Sequence, residues 1–100
     1  MKHKITEIQI LPIKPRDGLV AFASFVLDGC IYLTSVGIYQ KLDGSGYRLT
    51  YPTKLIGVKN INFFHPIIRG LSKAIEDAVF SKFKDVMNKN NDRYSGSNNT

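Results

Sequence analysis

Asp17, Asp28, Asp43, the histidines His3 and His65, and the lone cysteine Cys30 are the side chains with the first claim to catalytic chemistry. Hydrolysis or group transfer needs a nucleophile beside a base, two carboxylates at one bond, or a metal cluster. The three aspartates precede or sit among glycines, where a short carboxylate caps turn backbone. Glu76 and Asp77 stand beside Lys73 on a helical pattern, which makes them solvated partners of that lysine. His3 falls in a terminus expected to fray, and His65 before Pro66 is placed to bond junction backbone. Two separated histidines and one cysteine do not have zinc spacing. Cys30 reads as a small apolar strand residue. The sequence therefore predicts no catalytic site, no metal and no cofactor, and a protein that is not an enzyme.

Cations are organised differently. The chain carries a formal charge of +6 and a pI near 9.6, and no Asp or Glu occurs between Ser45 and Ile75. Arg48, Lys54, Lys59, Arg69 and Lys73 all lie in that stretch. A run of cations without compensating carboxylates fits a polyanion, and phosphate groups are the commonest polyanionic surface. These five residues are the candidate nucleic-acid contacts. Asp43-Gly44-Ser45-Gly46 lacks the spacing of a phosphate-binding loop and precedes a strand, so it reads as a hairpin loop.

The elements that must hold these cations are mostly strands. Ile5 to Ile13 alternates in part, with Ile8 and Ile10 on one face, and is expected to end at Pro12, Pro15 and the Asp17-Gly18 turn. Leu19 to Asp28 is apolar on both faces, the mark of a central strand. Val20, Phe22 and Val26 fall on one of them, and Leu19, Ala21, Ala23, Phe25 and Leu27 on the other. Asp28-Gly29 signals a second hairpin, and Cys30 to Gln40 the third strand. Gly46 to Tyr51 reads as a fourth, Thr53 to Asn60 as a loop or ragged hairpin, and Ile61 to His65 as a short fifth. Phe22, Phe25, Phe80 and Phe83 are candidate core, and an exposed subset of Tyr32, Tyr39, Tyr47, Tyr51, Phe63 and Phe64 could stack on unpaired bases.

After Pro66 the apolar period lengthens to about 3.6, with Ile68, Leu71, Ile75, Ala78, Val79, Phe83, Val86 and Met87 on one stripe. This predicts an amphipathic helix starting between Ile67 and Leu71 and ending near Asn88. The fold class is α+β: an antiparallel, meander-like sheet of four to five strands followed by a C-terminal amphipathic helix, in one small domain over residues 1–89. Residues 90–100 are polar and predict a disordered tail. A single cysteine and no apolar run of spanning length predict a cytoplasmic location with no membrane partner and no small-molecule substrate. So small a core favours a subunit partner.

Taken in order, Ile5-Thr6-Glu7-Ile8, Ala21-Phe22-Ala23-Ser24-Phe25-Val26-Leu27-Asp28, Tyr51-Pro52-Thr53-Lys54, His65-Pro66-Ile67 and Ile75-Glu76-Asp77-Ala78-Val79 resemble the SpoVG family, stage V sporulation protein G, a septation regulator. The resemblance spans about Ile5 to Met87. It implies a bacterial cytoplasmic homodimer joined through sheet edges and acting as a DNA-binding and RNA-binding regulator, with links to sporulation, septum formation and the cell cycle. Lys54 matches the family's lysine after the Pro-small pair. Leu55 stands where the family has a second basic residue, and Lys59 and Arg69 would replace that charge. The competing expectation is a protein-interaction module that captures a partner on an exposed sheet edge without binding nucleic acid.

Overall fold

A computed structural model describes residues 3–98, with side chains through residue 89. Four strands, β1 (Ile5–Arg16), β2 (Leu19–Leu27), β3 (Ile31–Gln40) and β4 (Tyr47–Thr50), form an antiparallel sheet in the order β1-β2-β3-β4. The first turn is the expected two-residue one. Asp17 and Gly18 both take positive φ, 53° and 91°, and Arg16 pairs with Leu19 across it, the backbone of a type I′ hairpin.

The second turn is longer than expected. Leu27 pairs with Ile31, so Asp28, Gly29 and Cys30 form a three-residue loop and Cys30 is exposed in a turn, not in a strand. Its thiol donates to the Asp28 carbonyl at 3.0 Å. β1 also continues to Arg16 through both Pro12 and Pro15. That is tolerated because β1 is an edge strand, whose outward backbone groups have no ladder to satisfy.

Two bulges bracket the middle of β2. Glu7 and Ile8 face the single residue Phe25 from one side, and Thr34 and Ser35 face Ser24 from the other. Glu7 and Ser35 take positive φ, 51° and 64°, the left-handed geometry that adds a residue and bends a strand. A third irregularity, at Val20, corrects the face assignment of β2. Leu19 pairs with Tyr39 and Ala21 with Ile38, so the intervening Val20 turns toward the core and Leu19 away from it. One extra residue in a strand reverses the side on which everything before it lies.

Helix α1 (Arg69–Asn98) covers one face of this sheet. Its Ile75, Val79 and Phe83 pack on Ala21, Ala23, Phe25, Val36 and Ile38, all buried. The Tyr47 ring meets Phe83 edge to face at 4.9 Å between centroids, and Leu71, Phe80 and Met87 close the margins. Phe22 is half-buried on the opposite face and is not part of this core. The α+β class, the terminal helix and its start are as expected, but α1 runs on to Asn98, past the end expected near Asn88. The tail expected over residues 90–100 lies outside the residues whose side chains are described.

The segment after β4 is more regular than the sequence predicts. β5 (Thr53–Ile56) and β6 (Lys59–Asn62) form a separate two-stranded ribbon. Of the loop or ragged hairpin expected over Thr53 to Asn60 the hairpin is found, and the short strand expected over Ile61 to His65 is its second strand, displaced to Lys59–Asn62. Gly57, at φ 62°, opens its two-residue turn, the position that type II′ turns reserve for glycine. The sequence does not decide between loop and hairpin because every residue of both strands is exposed, so no face shows alternation.

Candidate nucleic-acid interface

Pairing within the ribbon decides how its cations are arranged. Lys54 lies opposite Ile61, and Ile56 opposite Lys59. Directly paired residues share a face, so Lys54, Ile56, Lys59 and Ile61 stand together, with the two lysines on a diagonal. At a diagonal separation of about 7 Å two unit charges repel by roughly 0.6 kcal/mol in water. A phosphate between them would turn that small penalty into attraction. The other face carries Thr53, Leu55, Asn60 and Asn62.

The ribbon is anchored at its base. Phe63 N–H donates to the Pro52 carbonyl at 2.9 Å, and the Asn62 side-chain amide donates to the Tyr51 carbonyl at 3.3 Å. Beyond that base β5 and β6 pack mainly on each other. Leu55, Ile56, Val58 and Ile61 are all exposed, and Phe63, Ile67 and Ile68 after the ribbon are exposed as well. Apolar exposure on both faces of the ribbon and in the segment after it makes this region a candidate interaction surface.

Arg69 and Lys73 lie in the first turns of α1. No acidic residue occupies the first turn, where one would normally offset the positive end of the helix dipole, so Arg69 adds to that potential. Lys73 is paired with Asp77 at 3.6 Å, an exposed i,i+4 contact, as expected from its helical neighbours. Such a pair contributes only about 0.3–0.5 kcal/mol, so the lysine remains free to exchange it for a phosphate.

Arg48 stands apart from the other four. Tyr39 pairs with Arg48 and Leu19 with Tyr39, which puts all three side chains on the sheet face that α1 leaves open. The guanidinium sits over the Tyr39 ring, 4.9 Å from its centroid, a cation–π contact. Arg69 and Lys73 belong to the helix on the other face. The structure thus joins Lys54 with Lys59, and Arg69 with Lys73, but it gives Arg48 a separate setting. Arg16, which sequence reasoning did not single out, pairs with Leu19 and so joins the row of Arg48. Counting the register back from the Asp17-Gly18 turn would have found it.

The carboxylates and histidines have local duties. Asp28 does not cap its own turn. It accepts from Lys4 N–H at 2.8 Å and faces His3 Nδ1 at 3.2 Å, so His3 is tied to the β2–β3 turn, where a frayed terminus was expected. These contacts hold the exposed Asp28 carboxyl below the usual carboxylate range, the Lys4 backbone donor first and His3 second. Asp43 accepts from Ser45 N–H at 2.9 Å, and that serine lowers its pKa. His65 Nδ1 lies 3.2 Å from the Pro66 carbonyl, as expected of a junction residue. Among the described residues no three His, Cys, Asp or Glu side chains gather to hold a metal, and no helix is long and apolar enough to cross a membrane.

Neither protein-family models nor curated proteins give a match to this chain. The likeness to SpoVG therefore rests on the ordered residues quoted above.

Proposed function

We propose that this chain is a SpoVG-like regulatory protein that binds DNA and RNA through a basic surface as a cytoplasmic homodimer, without catalysis. The observation that carries the reading is the ribbon. Lys54 and Lys59 share one exposed face of a hairpin inside a stretch that contains no carboxylate. Arg69 and Lys73 extend the cationic supply at the helix start, and Arg48 supplies it on the sheet. The homodimer is supported by the apolar side chains Leu55, Val58, Ile61 and Phe63, which a lone subunit leaves in water. Two copies would double the phosphate contacts and raise affinity without new chemistry.

The test is fluorescence anisotropy on labelled duplex and single-stranded oligonucleotides across a salt series. Lys54→Ala with Lys59→Ala should weaken binding to both and flatten the slope of log affinity against log salt by nearly one unit per lost contact. An unchanged slope removes the ribbon from the interface. The same exposed apolar ribbon also favours a protein-interaction module, in which the charge serves solubility alone. Failure of the wild-type chain to bind any oligonucleotide at low ionic strength selects that reading.

A further inference from the structure

The sheet face that α1 leaves open has a composition that the basic ribbon does not explain. Cross-strand pairing orders it in rows: Thr6 with Val26 and Tyr32; Gln9 with Ser24; Leu11 with Phe22, Gly37 and Thr50; Arg16 with Leu19, Tyr39 and Arg48. No carboxylate stands in these rows, and the last is flanked by two arginines. Tyr32 is 62% exposed although it sits within a sheet. Beside it a shallow cavity of about 450 Å³ is bounded by Gln9, Leu11, Phe22, Tyr32, Thr34 and Ser35. That is a volume typical of small-ligand sites.

From this arrangement we propose that the open sheet face is a platform for unpaired bases of a single-stranded nucleic acid. Tyr32 stacks on a base, and Phe22 walls the cavity that receives it. Gln9, Thr34 and Ser35 offer amide and hydroxyl groups to the base edge, as sequence-tolerant sheet platforms require. Arg16 and Arg48 meet the phosphates at the far end of the face. The Tyr39 ring is already covered by Arg48, so the guanidinium plane there takes the stacking role. Charge favours a polyanionic occupant. Asp17 and Asp43 border the hollow around Tyr39 and Arg48, but among the described residues neither pairs with Arg16 or Arg48. An apolar partner would therefore bury two unpaired arginines, whereas a polyanion neutralises them. A duplex can offer phosphates to the arginines but cannot use the stacking site, because its bases are stacked away from tyrosine.

The inference rests on the nucleic-acid reading above, and its test separates the two. Short labelled RNA, DNA of the same sequence, and the corresponding duplex are titrated with the full chain and with Tyr32→Ala, Tyr32→Phe and the Lys54→Ala, Lys59→Ala pair. Tyr32→Ala should weaken single-strand binding about tenfold and leave duplex affinity unchanged, and Tyr32→Phe should retain wild-type affinity. The two single-stranded arms show whether the sugar is read. Equal single-strand affinity for Tyr32→Ala and wild type, with loss in the lysine pair, overturns the platform and leaves the basic ribbon standing. Absence of any binding by wild type overturns both. A change of sedimentation coefficient in Tyr32→Ala, without a change in single-strand affinity, would assign the face to a second copy and likewise overturn the platform.

Discussion

The two faces of the four-stranded sheet come from the same strands and yet differ in almost every chemical respect. One face buries Ala21, Ala23, Phe25, Val36 and Ile38 beneath α1. The other presents Tyr32, Arg16 and Arg48 to solvent, with Tyr39 beneath the Arg48 guanidinium and no described helix or strand packed over it. Alternation alone makes two faces, but it does not say which will be covered. That is decided by the single helix, whose apolar stripe is wide enough for one face, and by the bulges, which set the side each residue takes.

The sharpest test of the contrast is a pair of aromatic truncations. Phe25 is fully buried opposite the Glu7–Ile8 bulge, and Phe25→Ala should cost about 3–5 kcal/mol in denaturant unfolding. Tyr32→Ala should stay within about 0.5 kcal/mol of wild type, as exposed substitutions do. Comparable losses would mean that the open face is in fact closed, and the distinction between the two would collapse.

Gly37 probes the open face at closer range. A Cβ there would lie 2.7 Å from Thr50 Oγ1 and 3.2 Å from both Leu19 Cδ1 and Tyr39 Cε1. Gly37→Ala should therefore destabilise by about 1–3 kcal/mol, and adding Thr50→Ala should recover part of the loss in a double-mutant cycle. Strict additivity would show that the neighbours had room to yield.

Much of this fold could be read before the structure, and the exceptions have identifiable causes. The Asp17-Gly18 turn, the central place of β2 and the stripe of α1 each carry a strong local signal, because turn chemistry and apolar periodicity act over a few residues. The reversal of Leu19 and Val20 carried none: a bulge depends on the partner strand. The ribbon was legible only as a loop or ragged hairpin, because Lys54, Leu55, Ile56, Lys59, Asn60 and Ile61 have no buried side to fix the pairing. Of the candidate site, the residue types were visible, but the faces were not. Arg48 separates from Arg69 only once the helix is known to cover the side occupied by Tyr47 and Leu49.

Tyr51 tests the margin of the covered face. Its ring meets Phe64 at 6.0 Å, and its hydroxyl is shielded from solvent without a hydrogen-bond partner. Burial first, and the Glu76 charge second, push its pKa up to about 12. Because an unpaired buried hydroxyl is costly, Tyr51→Phe should stabilise the chain by about 1 kcal/mol near neutral pH. The pH dependence has a definite sign. Between pH about 10 and about 12 the unfolded tyrosine ionises while the folded one stays protonated, so wild type loses stability in that window and Tyr51→Phe lacks this loss. Parallel melting curves for the two proteins across that range would remove Tyr51 from the covered margin.

The smallest effect belongs to Asp28, at the end of the sheet where both faces meet the turn. Its carboxylate holds Lys4 N–H and His3, and its pKa is lowered by those contacts. A depressed carboxyl adds stability above its unfolded pKa and loses it as pH falls through the folded value. Asp28→Asn is the informative change, because asparagine tolerates the φ of 52° found there and so removes charge without straining the turn. The variant should melt slightly below wild type at neutral pH, and the gap should close once the wild-type carboxyl is protonated in acid. Replacement by alanine adds the cost of a left-handed backbone and should leave a gap that acid does not erase. If acid erased both gaps equally, the turn would owe its conformation to the carboxylate alone, and the positive φ at Asp28 would carry no strain of its own.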